Sequence, residues 1–447
     1  MQESNKSFIK TLSLLSLPII LQDFIGNSVV FMDIWMVGRL AADSVDYINA
    51  VGLSNRLFFL CILLIFGFSS GGSIFMGQFW GKGEVSGIHK VMGLVLVFNL
   101  MAAGAFASIA LFAPGWFLGF LTYNENVIAQ GSAYLRVMSI SYFLSAVSTT
   151  ISTTLRSIRQ TKVPMASSMV SFCCKLLCNI LFIFVFEWGV VGAAWATVAM
   201  RTIEIIAQIF IIKWRNLPIL AKPTAYFNWR GKDFLRSYFR ISVPVILNES
   251  VWAFGIFFYD IAYRFAGNDA QGAVQISTNL EGLFMVAGMG FGIGSSIIIS
   301  NLLGEGKRKE AIVYSRKCLK TGAVIATTMA LILLIASPFI LSTYEISDEV
   351  RRLARNNLFV VSAGMTVKTI NFYNIVGILR RGGDTMFCLL LDTGSVWMIG
   401  VPLAFLGAMV LGLPIYWVLV MVYFEEVVKI FFSLRRVLSN RWAQRLV

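Results

Sequence analysis

Carboxylates inside long apolar runs are the residues of this sequence best placed to do chemistry. Asp23 and Glu249 each lie roughly 13 residues into such a run, and Asp33 and Asp260 lie about three helical turns further along. If these runs cross a bilayer, an ionised side chain there costs several kcal/mol and usually faces a cavity or an ionic partner. Such a carboxylate can exchange a proton or a sodium ion, or bind a cationic compound. We predict ion or substrate binding at these four residues.

Basic residues at similar depth supply partners for these carboxylates. They are Arg56, Lys175, Arg201 and Lys368, and Glu281 and Asp392 complete the ionisable set of the second half. Arg201 and Glu204 are three residues apart, so we expect a structural ion pair on one helix face. Glu249 and Lys368 are predicted to be functional, and the alternative is that they form a structural pair with each other. For Asp33 and Asp260 the alternative is solvation at the outer membrane interface.

Aromatic side chains near the second-half carboxylates suggest a way to bind flat or cationic compounds. Trp252 and Tyr259 are spaced to lie near Glu249 and Asp260, where stacking and cation–π contact would hold such a ligand. The alternative is that these rings pack between helices. No Walker-type phosphate loop occurs in the sequence, and its single histidine, His89, lies beside a lysine. The sequence therefore predicts no catalytic residue, no metal site and no cofactor, and the chain is not expected to be an enzyme.

The composition is that of a membrane protein. Hydrophobic residues make up 57% of the 447 residues and charged residues 13%, and the mean hydropathy is +0.76. Soluble proteins carry about 25% charged residues, so the excess apolar surface must face lipid. The net charge of +14 does not indicate a nucleic-acid partner, because the basic residues fall in short connections between apolar runs.

Twelve apolar segments predict an all-α membrane protein with twelve transmembrane helices. They run approximately over 10–38, 47–78, 88–113, 127–154, 163–185, 189–212, 235–264, 271–302, 314–341, 352–379, 385–407 and 414–434. On one predicted side the only basic residues are Arg39, Arg264, Arg351, Arg352 and Arg355. Most of the others, from Lys6 at the N-terminus to the final basic cluster, lie on the opposite side. Both termini are therefore expected to be cytoplasmic.

An internal repeat divides the chain into two pseudo-symmetric six-helix bundles. PIILQD at 18–23 matches PVILNE at 244–249, and FMDI at 31–34 matches FYDI at 258–261. LRSIRQT (155–161) likewise matches LRRGGDT (379–385) at nearly the same offset. We predict an N-terminal lobe over 1–215, a cytoplasmic linker over 216–234 and a C-terminal lobe over 235–447. Six spans per half make the repeats parallel, and we expect a monomeric transporter with its binding site between the halves.

The motifs resemble those of multidrug and toxic compound extrusion (MATE) transporters. The resemblance is carried by PIILQDFIGNSVVFMDIWMVGRL, AVGLSN, GQFWGKG, GVVGAAWATVAMRTIE and GILRRGGDT, and it covers nearly the whole chain. It implies a two-lobed fold that alternates between inward and outward openings. It also implies export of small organic compounds, often cationic, in exchange for Na+ or H+. The resemblance is strongest to a bacterial branch that carries NExxWxxG, here Asn248 to Gly255, and it therefore implies a location in the bacterial inner membrane.

The resemblance assigns roles to particular residues and also shows departures. Asp33 matches the acidic position of the first span, Asn179 the asparagine of the fifth and Thr197 the threonine of the sixth. Family members with a cation site in the first lobe often have an aspartate four residues after that asparagine. This position is Ile183 here. A glutamate found in many relatives corresponds to Trp252, with Glu249 about one turn earlier.

The tenth-span aspartate of some relatives falls at Lys368 or Thr369. We hypothesise that Lys368 acts as a built-in cation that replaces a bound sodium ion.

Two alternative functions remain open at this point. A lipid-linked oligosaccharide flippase of the same wider superfamily would need a wide basic cavity, to which Arg56, Lys175 and Lys368 could contribute. The extrusion-type motifs argue against it. A receptor or channel is disfavoured by the twofold six-span repeat, and the substrate itself is not predicted.

Overall fold

A computed structural model describes residues 5–37, 44–227, 229, 232–344 and 346–447 of the chain. Throughout these ranges the regular secondary structure is helical and contains no strand, which confirms the predicted all-α class. Arg39, one of the arginines on the predicted outer side, lies outside the described residues, as does the side chain of Lys6.

Long helices in the first half of the chain match its predicted segments. They are α1 (Asn5–Val37), α2 (Ser44–Lys82), α3 (Val85–Phe112), α4 (Glu125–Ser157), α5 (Lys162–Asn179) and α6 (Gly189–Trp214). α5 continues as a wider π-helical turn over Ile180–Val185. Asn124 is the N-cap of α4, and its side chain accepts hydrogen bonds from two free backbone N–H groups of the first turn.

The second half repeats this pattern. Its long helices are α7 (Lys232–Arg264), α8 (Asn268–Gly304), α9 (Arg308–Ser342), α10 (Asp348–Phe372), α11 (Thr385–Ser395) and α12 (Ile415–Leu438). α10 continues as a π-helix over Tyr373–Leu379, and α11 widens to a π-helix over Val396–Gly400. The π-helix of α11 ends two residues before Pro402. This proline cannot donate a backbone hydrogen bond, and its ring crowds the carbonyl four residues earlier.

In the described residues, nine helices are long and apolar enough to cross a membrane. Of the remaining long helices, α4 and α10 have the length of a span but are more polar, and α12 is apolar but carries the charged residues Glu425, Glu426 and Lys429. α4 buries hydroxyl groups, and those of Thr150 and Thr154 donate to the carbonyls of Ala146 and Thr150 at 2.7 and 2.8 Å. A helix enclosed by other helices can carry such groups because its own backbone satisfies them. Protein packing therefore allows α4 to carry these polar groups.

The helices form two compact units, and the division does not follow the chain order completely. Leu21–Tyr238 form the N-terminal unit, whereas Met1–Ile20 and Phe239–Val447 form the C-terminal unit. The first part of α1 thus packs in the C-terminal unit, with Phe8, Leu12, Leu15 and Ile19 in the same apolar core as residues of α8 and α10. Ser16 lies so close to Gly294 that a β-carbon at that glycine would overlap it. The sequence-based division, in contrast, places all of α1 in the first lobe.

Candidate functional site: buried ion clusters in each unit

The N-terminal unit contains a buried ion pair surrounded by polar side chains, which we call the Asp33 cluster (Asp33, Lys175, Asn179 and Thr197). The Lys175 ammonium donates to Asp33 Oδ2 at 2.7 Å and to Thr197 Oγ1 at 2.6 Å. The Asn179 amide donates to Asp33 Oδ1 at 3.0 Å. Lys175 is 1% exposed and Asp33 is 3% exposed. The aspartate charge is therefore neutralised within the protein by a lysine.

Three helices bring the Asp33 cluster together. Lys175 and Asn179 are four residues apart on α5, so they lie on the same helix face. Thr197 is on α6, and its hydroxyl also donates to the backbone carbonyl of Ala193, one turn earlier on the same helix. Asn179 and Thr197 were predicted as site residues together with Asp33, and the structure joins all three. Solvation at the outer interface does not describe Asp33, because its carboxylate is buried.

The C-terminal unit contains a second buried group, the Lys429 cluster (Asp392, Glu425, Glu426 and Lys429). The Lys429 ammonium lies 2.8 Å from Asp392 Oδ1, 3.1 Å from Glu426 Oε1 and 3.9 Å from Glu425 Oε1. All four residues come from α11 and α12, and Lys429 is 2% exposed. Three carboxylates thus face a single ammonium, in contrast to the balanced pair of the Asp33 cluster.

Neighbouring side chains donate further hydrogen bonds to the Lys429 cluster. Asn248 on α7 donates to Asp392 at 3.1 Å, and Asn371 on α10 donates to Glu426 at 2.7 Å. The Tyr259 hydroxyl on α7 donates to Glu425 at 2.8 Å. This contact depends on Gly400, where a β-carbon would overlap both the tyrosine oxygen and the Glu425 carboxylate. The widened turn of α11 at Gly400 therefore lets the hydroxyl and the carboxylate meet.

A third ion pair lies beside this cluster. Lys368 on α10 donates to Glu281 on α8 at 3.1 Å, and the Tyr423 hydroxyl forms another hydrogen bond with Glu281. Glu281 is 3% exposed. The Tyr423 ring fits against α10 because Gly364 has no side chain there.

Repeat-equivalent ion pairs occur in both units. Asp23 pairs with Arg156 at 3.1 Å in the N-terminal unit, and Glu249 pairs with Arg380 at 2.6 Å in the C-terminal unit. Asp23 and Glu249 end the matching PIILQD and PVILNE motifs, and both arginines are the second residue of the matching LR motifs. The two halves therefore also form equivalent ion pairs at these positions. Arg156 lies in the last turn of α4, and Arg380 directly follows the π-helix that ends at Leu379. Neither arginine therefore lies in the middle of a span.

The remaining ionisable residues of the N-terminal unit form a chain of contacts. Arg201 and Glu204 form the expected pair at 2.8 Å. The Ser168 hydroxyl donates to Glu204 at 2.8 Å, and the Gln22 amide donates to Ser168 at 3.2 Å. Gln22 also accepts from Arg156 at 2.6 Å, which links this chain to the pair at Asp23.

Several predicted site residues of the second half have different surroundings from those expected. Glu249 and Lys368 do not pair with each other, since each has another ionic partner. Asp260, the repeat equivalent of Asp33, is exposed. Trp252 packs against an apolar core cluster. Helix packing differs between the two halves at these positions, so equivalent residues meet different neighbours.

Sequence reasoning missed three members of the Lys429 cluster, Glu425, Glu426 and Lys429. The signal was present in the last apolar segment, where YFEEVVKIFF places two glutamates three and four residues before a lysine. That spacing puts all three on one helix face. Asp392 was noted but not predicted as a site residue, and Lys175 was noted only as a basic residue.

Comparisons with known proteins identify relatives of this chain. A sequence profile of the MatE family matches residues 18–185 and 244–424, one match in each half. The "Uncharacterized transporter YisQ" of Bacillus subtilis is 25% identical, covering 98% of this chain and 96% of that protein. The "Probable multidrug resistance protein YoeA" of the same organism is 22% identical over 90% of this chain and 88% of its own.

A solved structure shows the same fold at low sequence identity. It is a mutant form of the Vibrio cholerae MATE transporter VcmN, which superposes with a TM-score of 0.89 at 17% identity and covers 99% of this chain and 98% of its own. The family profile matches both halves and together covers most of the chain. This chain therefore belongs to the MatE family of multi-pass membrane transporters.

Proposed function

We propose that this transporter is a secondary antiporter that exports small organic compounds, often cationic ones, in exchange for Na+ or H+ by alternating access. The observation that carries this proposal is the pair of buried ionic groups, the Asp33 cluster and the Lys429 cluster, one in each unit. Family membership supplies the transport function, and the ionic groups supply sites at which an ion or a charged compound can act.

The energetics of burial support a functional role for these groups. Removing two charges from water is expensive, and an apolar pair of similar volume is often equally stable or more stable. A transporter that needed only a stable scaffold would gain little from placing Asp33 and Lys175 there, at 3% and 1% exposure. Ionisable residues inside membrane proteins commonly mark ion or substrate pathways.

The Asp33 cluster also bears on which ion is used. Asp33, Asn179 and Thr197 match positions of the family motifs and were predicted to bind substrate or an ion, and the Lys175 ammonium contacts two of these three side chains. We therefore place the built-in cation at Lys175 in the N-terminal unit, whereas sequence reasoning placed it at Lys368. A sodium ion at this position would have to displace or repel the ammonium. This favours an ion site elsewhere in the molecule.

The test is uptake into everted vesicles from a bacterial host that lacks its own drug exporters. Ethidium, a fluorescent organic cation, and a matched panel of organic anions are added outside, with the vesicle interior either acidified or loaded with sodium. Accumulation that depends on one gradient and stops when an ionophore dissipates it supports antiport. If no compound accumulates under either gradient, the antiporter proposal fails and lipid-linked substrates are tested next.

A matched pair of variants connects the transport result to the site. Glu249→Gln removes the partner of the buried Arg380, and we expect loss of gradient-driven uptake. Glu349→Gln removes a carboxylate from an exposed pair with Arg352 and should leave uptake unchanged. Equal activity of both variants would contradict a role for Glu249.

A further inference from the structure

The Lys429 cluster contains more negative than positive charge. Asp392, Glu425 and Glu426 surround one ammonium, and each carboxylate is within 4 Å of Lys429 Nζ. Lys368, the next cation, is already paired with Glu281. Like charges that share a buried site cannot all be ionised without a large electrostatic penalty. A proton on one carboxyl group halves this excess negative charge.

The contacts of each carboxyl group identify which one carries that proton. Asp392 and Glu426 lie within hydrogen-bond distance of Lys429, at 2.8 and 3.1 Å. Each also accepts a hydrogen bond from an asparagine amide, Asn248 for Asp392 and Asn371 for Glu426. These donors stabilise the ionised form. Glu425 is 3.9 Å from the ammonium, which is too far for a hydrogen bond, and accepts only from the Tyr259 hydroxyl among the contacts described above.

Charged and titratable groups on all the packed helices contribute to this balance. α12 itself supplies Glu426 and Lys429, and α11 supplies Asp392. α7 supplies Tyr259 and Tyr263, and both interact electrostatically with Glu425. Lys368 interacts electrostatically with Glu426, and Glu281 with Tyr423. Arg380 interacts with Asp392. These charges therefore affect Glu425 indirectly.

We infer that Glu425 is the proton-carrying residue of this transporter. It holds a proton at neutral pH in the conformation described here, while Asp392 and Glu426 remain ionised against Lys429, and it releases that proton during the transport cycle. A proton fits this site better than sodium, because a proton needs only one carboxyl oxygen of Glu425. Sodium would need several oxygen ligands, and oxygens of Asp392 and Glu426 already accept hydrogen bonds from Lys429 and two asparagine amides. This inference rests on the proposed antiport function and names its coupling ion and site.

Infrared spectroscopy of the purified full-length protein tests the inference without any substrate. A buried protonated carboxyl group gives a carbonyl stretching band that is separate from those of ionised carboxylates. The wild type should show this band at neutral pH and lose it on alkaline titration. Glu425→Gln should abolish it, whereas Glu425→Asp should restore it at a shifted frequency. The glutamine is close in size to the glutamate, and size-exclusion chromatography checks that the variant remains folded.

Two matched variants make the assignment specific. Glu281→Gln, which alters the partner of Lys368, should keep the band. Glu426→Gln removes one negative charge from the cluster, so the Glu425 band should then be lost at a lower pH than in the wild type. Absence of the band in the wild type would overturn the inference. Loss of the band in Glu426→Gln with its retention in Glu425→Gln would also overturn it.

A transport measurement separates this inference from the proposed function. Proton-driven ethidium uptake in the wild type and its loss in Glu425→Gln are the expected pair of results. If Glu425→Gln transports as well as the wild type, the proton site is wrong while antiport stands. If the wild type transports nothing, antiport fails, and the infrared result alone decides whether Glu425 is protonated.

Discussion

Removing Lys175 should convert the Asp33 cluster from a closed ion pair into a sodium site. Lys175→Ala leaves the Asp33 carboxylate buried without its cation, at 3% exposure. Breaking a buried pair in this way costs about 3–5 kcal/mol. The cost should be smaller when both charges are removed, because the double variant Asp33→Asn/Lys175→Ala leaves no unpaired charge.

Sodium should recover part of that loss in the single variant. The space left by the ammonium is bordered by the Asp33 carboxylate and the Thr197 hydroxyl, which contact Lys175 at 2.7 and 2.6 Å. These oxygens are suitable ligands for a hard cation. A ligand that binds only the folded state, at about 100 times its dissociation constant, stabilises that state by roughly 2.7 kcal/mol. Sodium at this concentration should therefore restore more than half of the lost stability.

The assay is thermal unfolding of the detergent-purified protein in NaCl and in KCl at equal ionic strength. Lys175→Ala should unfold at a lower temperature than the wild type in KCl and regain part of the difference in NaCl. The wild type and the double variant should be insensitive to the choice of cation. Equal sodium stabilisation of the wild type and Lys175→Ala would refute the reasoning, because the wild-type site would then accept sodium beside the lysine.

Two further perturbations follow from the packing. Gly400→Ala should destabilise the protein by about 1–3 kcal/mol through overpacking and separate the Tyr259 hydroxyl from Glu425. Thermal unfolding should detect this, with Gly394→Ala as control, since a β-carbon there meets nothing within 4 Å. Arg380→Met should reduce stability by about 3–5 kcal/mol because it removes a buried cation and leaves the Glu249 carboxylate, which is only 15% exposed, without its partner. The repeat-equivalent Arg156→Met should cost only about 1 kcal/mol, since the Arg156 side chain is 20% exposed and Arg380 3%. Equal losses would contradict the burial argument.

Hydropathy predicted the helices well because lipid imposes a simple requirement. A span needs about 20 mostly apolar residues whose backbone groups bond to one another, and each of the twelve predicted segments corresponds to a long helix. The internal repeat was equally informative. It paired Asp23 with Glu249 as equivalent positions, and the structure shows that they make equivalent contacts with Arg156 and Arg380.

Symmetry along the sequence did not extend to every site. Asp33 and Asp260 occupy equivalent repeat positions, yet Asp33 is buried against Lys175 and Asp260 is exposed. The choice of partner depends on which helix faces pack together, and this is set by small differences in the residues between the helices. Lys368 illustrates the same limit, because its nearest carboxylate comes from Glu281 on α8 and not from Glu249 on α7.

The amino-acid sequence by itself determined that this protein is a twofold repeated helical membrane transporter, and its family motifs predicted binding residues at Asp33, Asn179 and Thr197. Those conclusions depend on hydrophobic length, repeat motifs and family motifs, which are properties of short segments. Only the tertiary structure decided that Lys175 neutralises Asp33 and that three carboxylates share Lys429. Charge balance in a buried site depends on distances of 3–4 Å between helices far apart in sequence, and those distances exist only after the helices have packed.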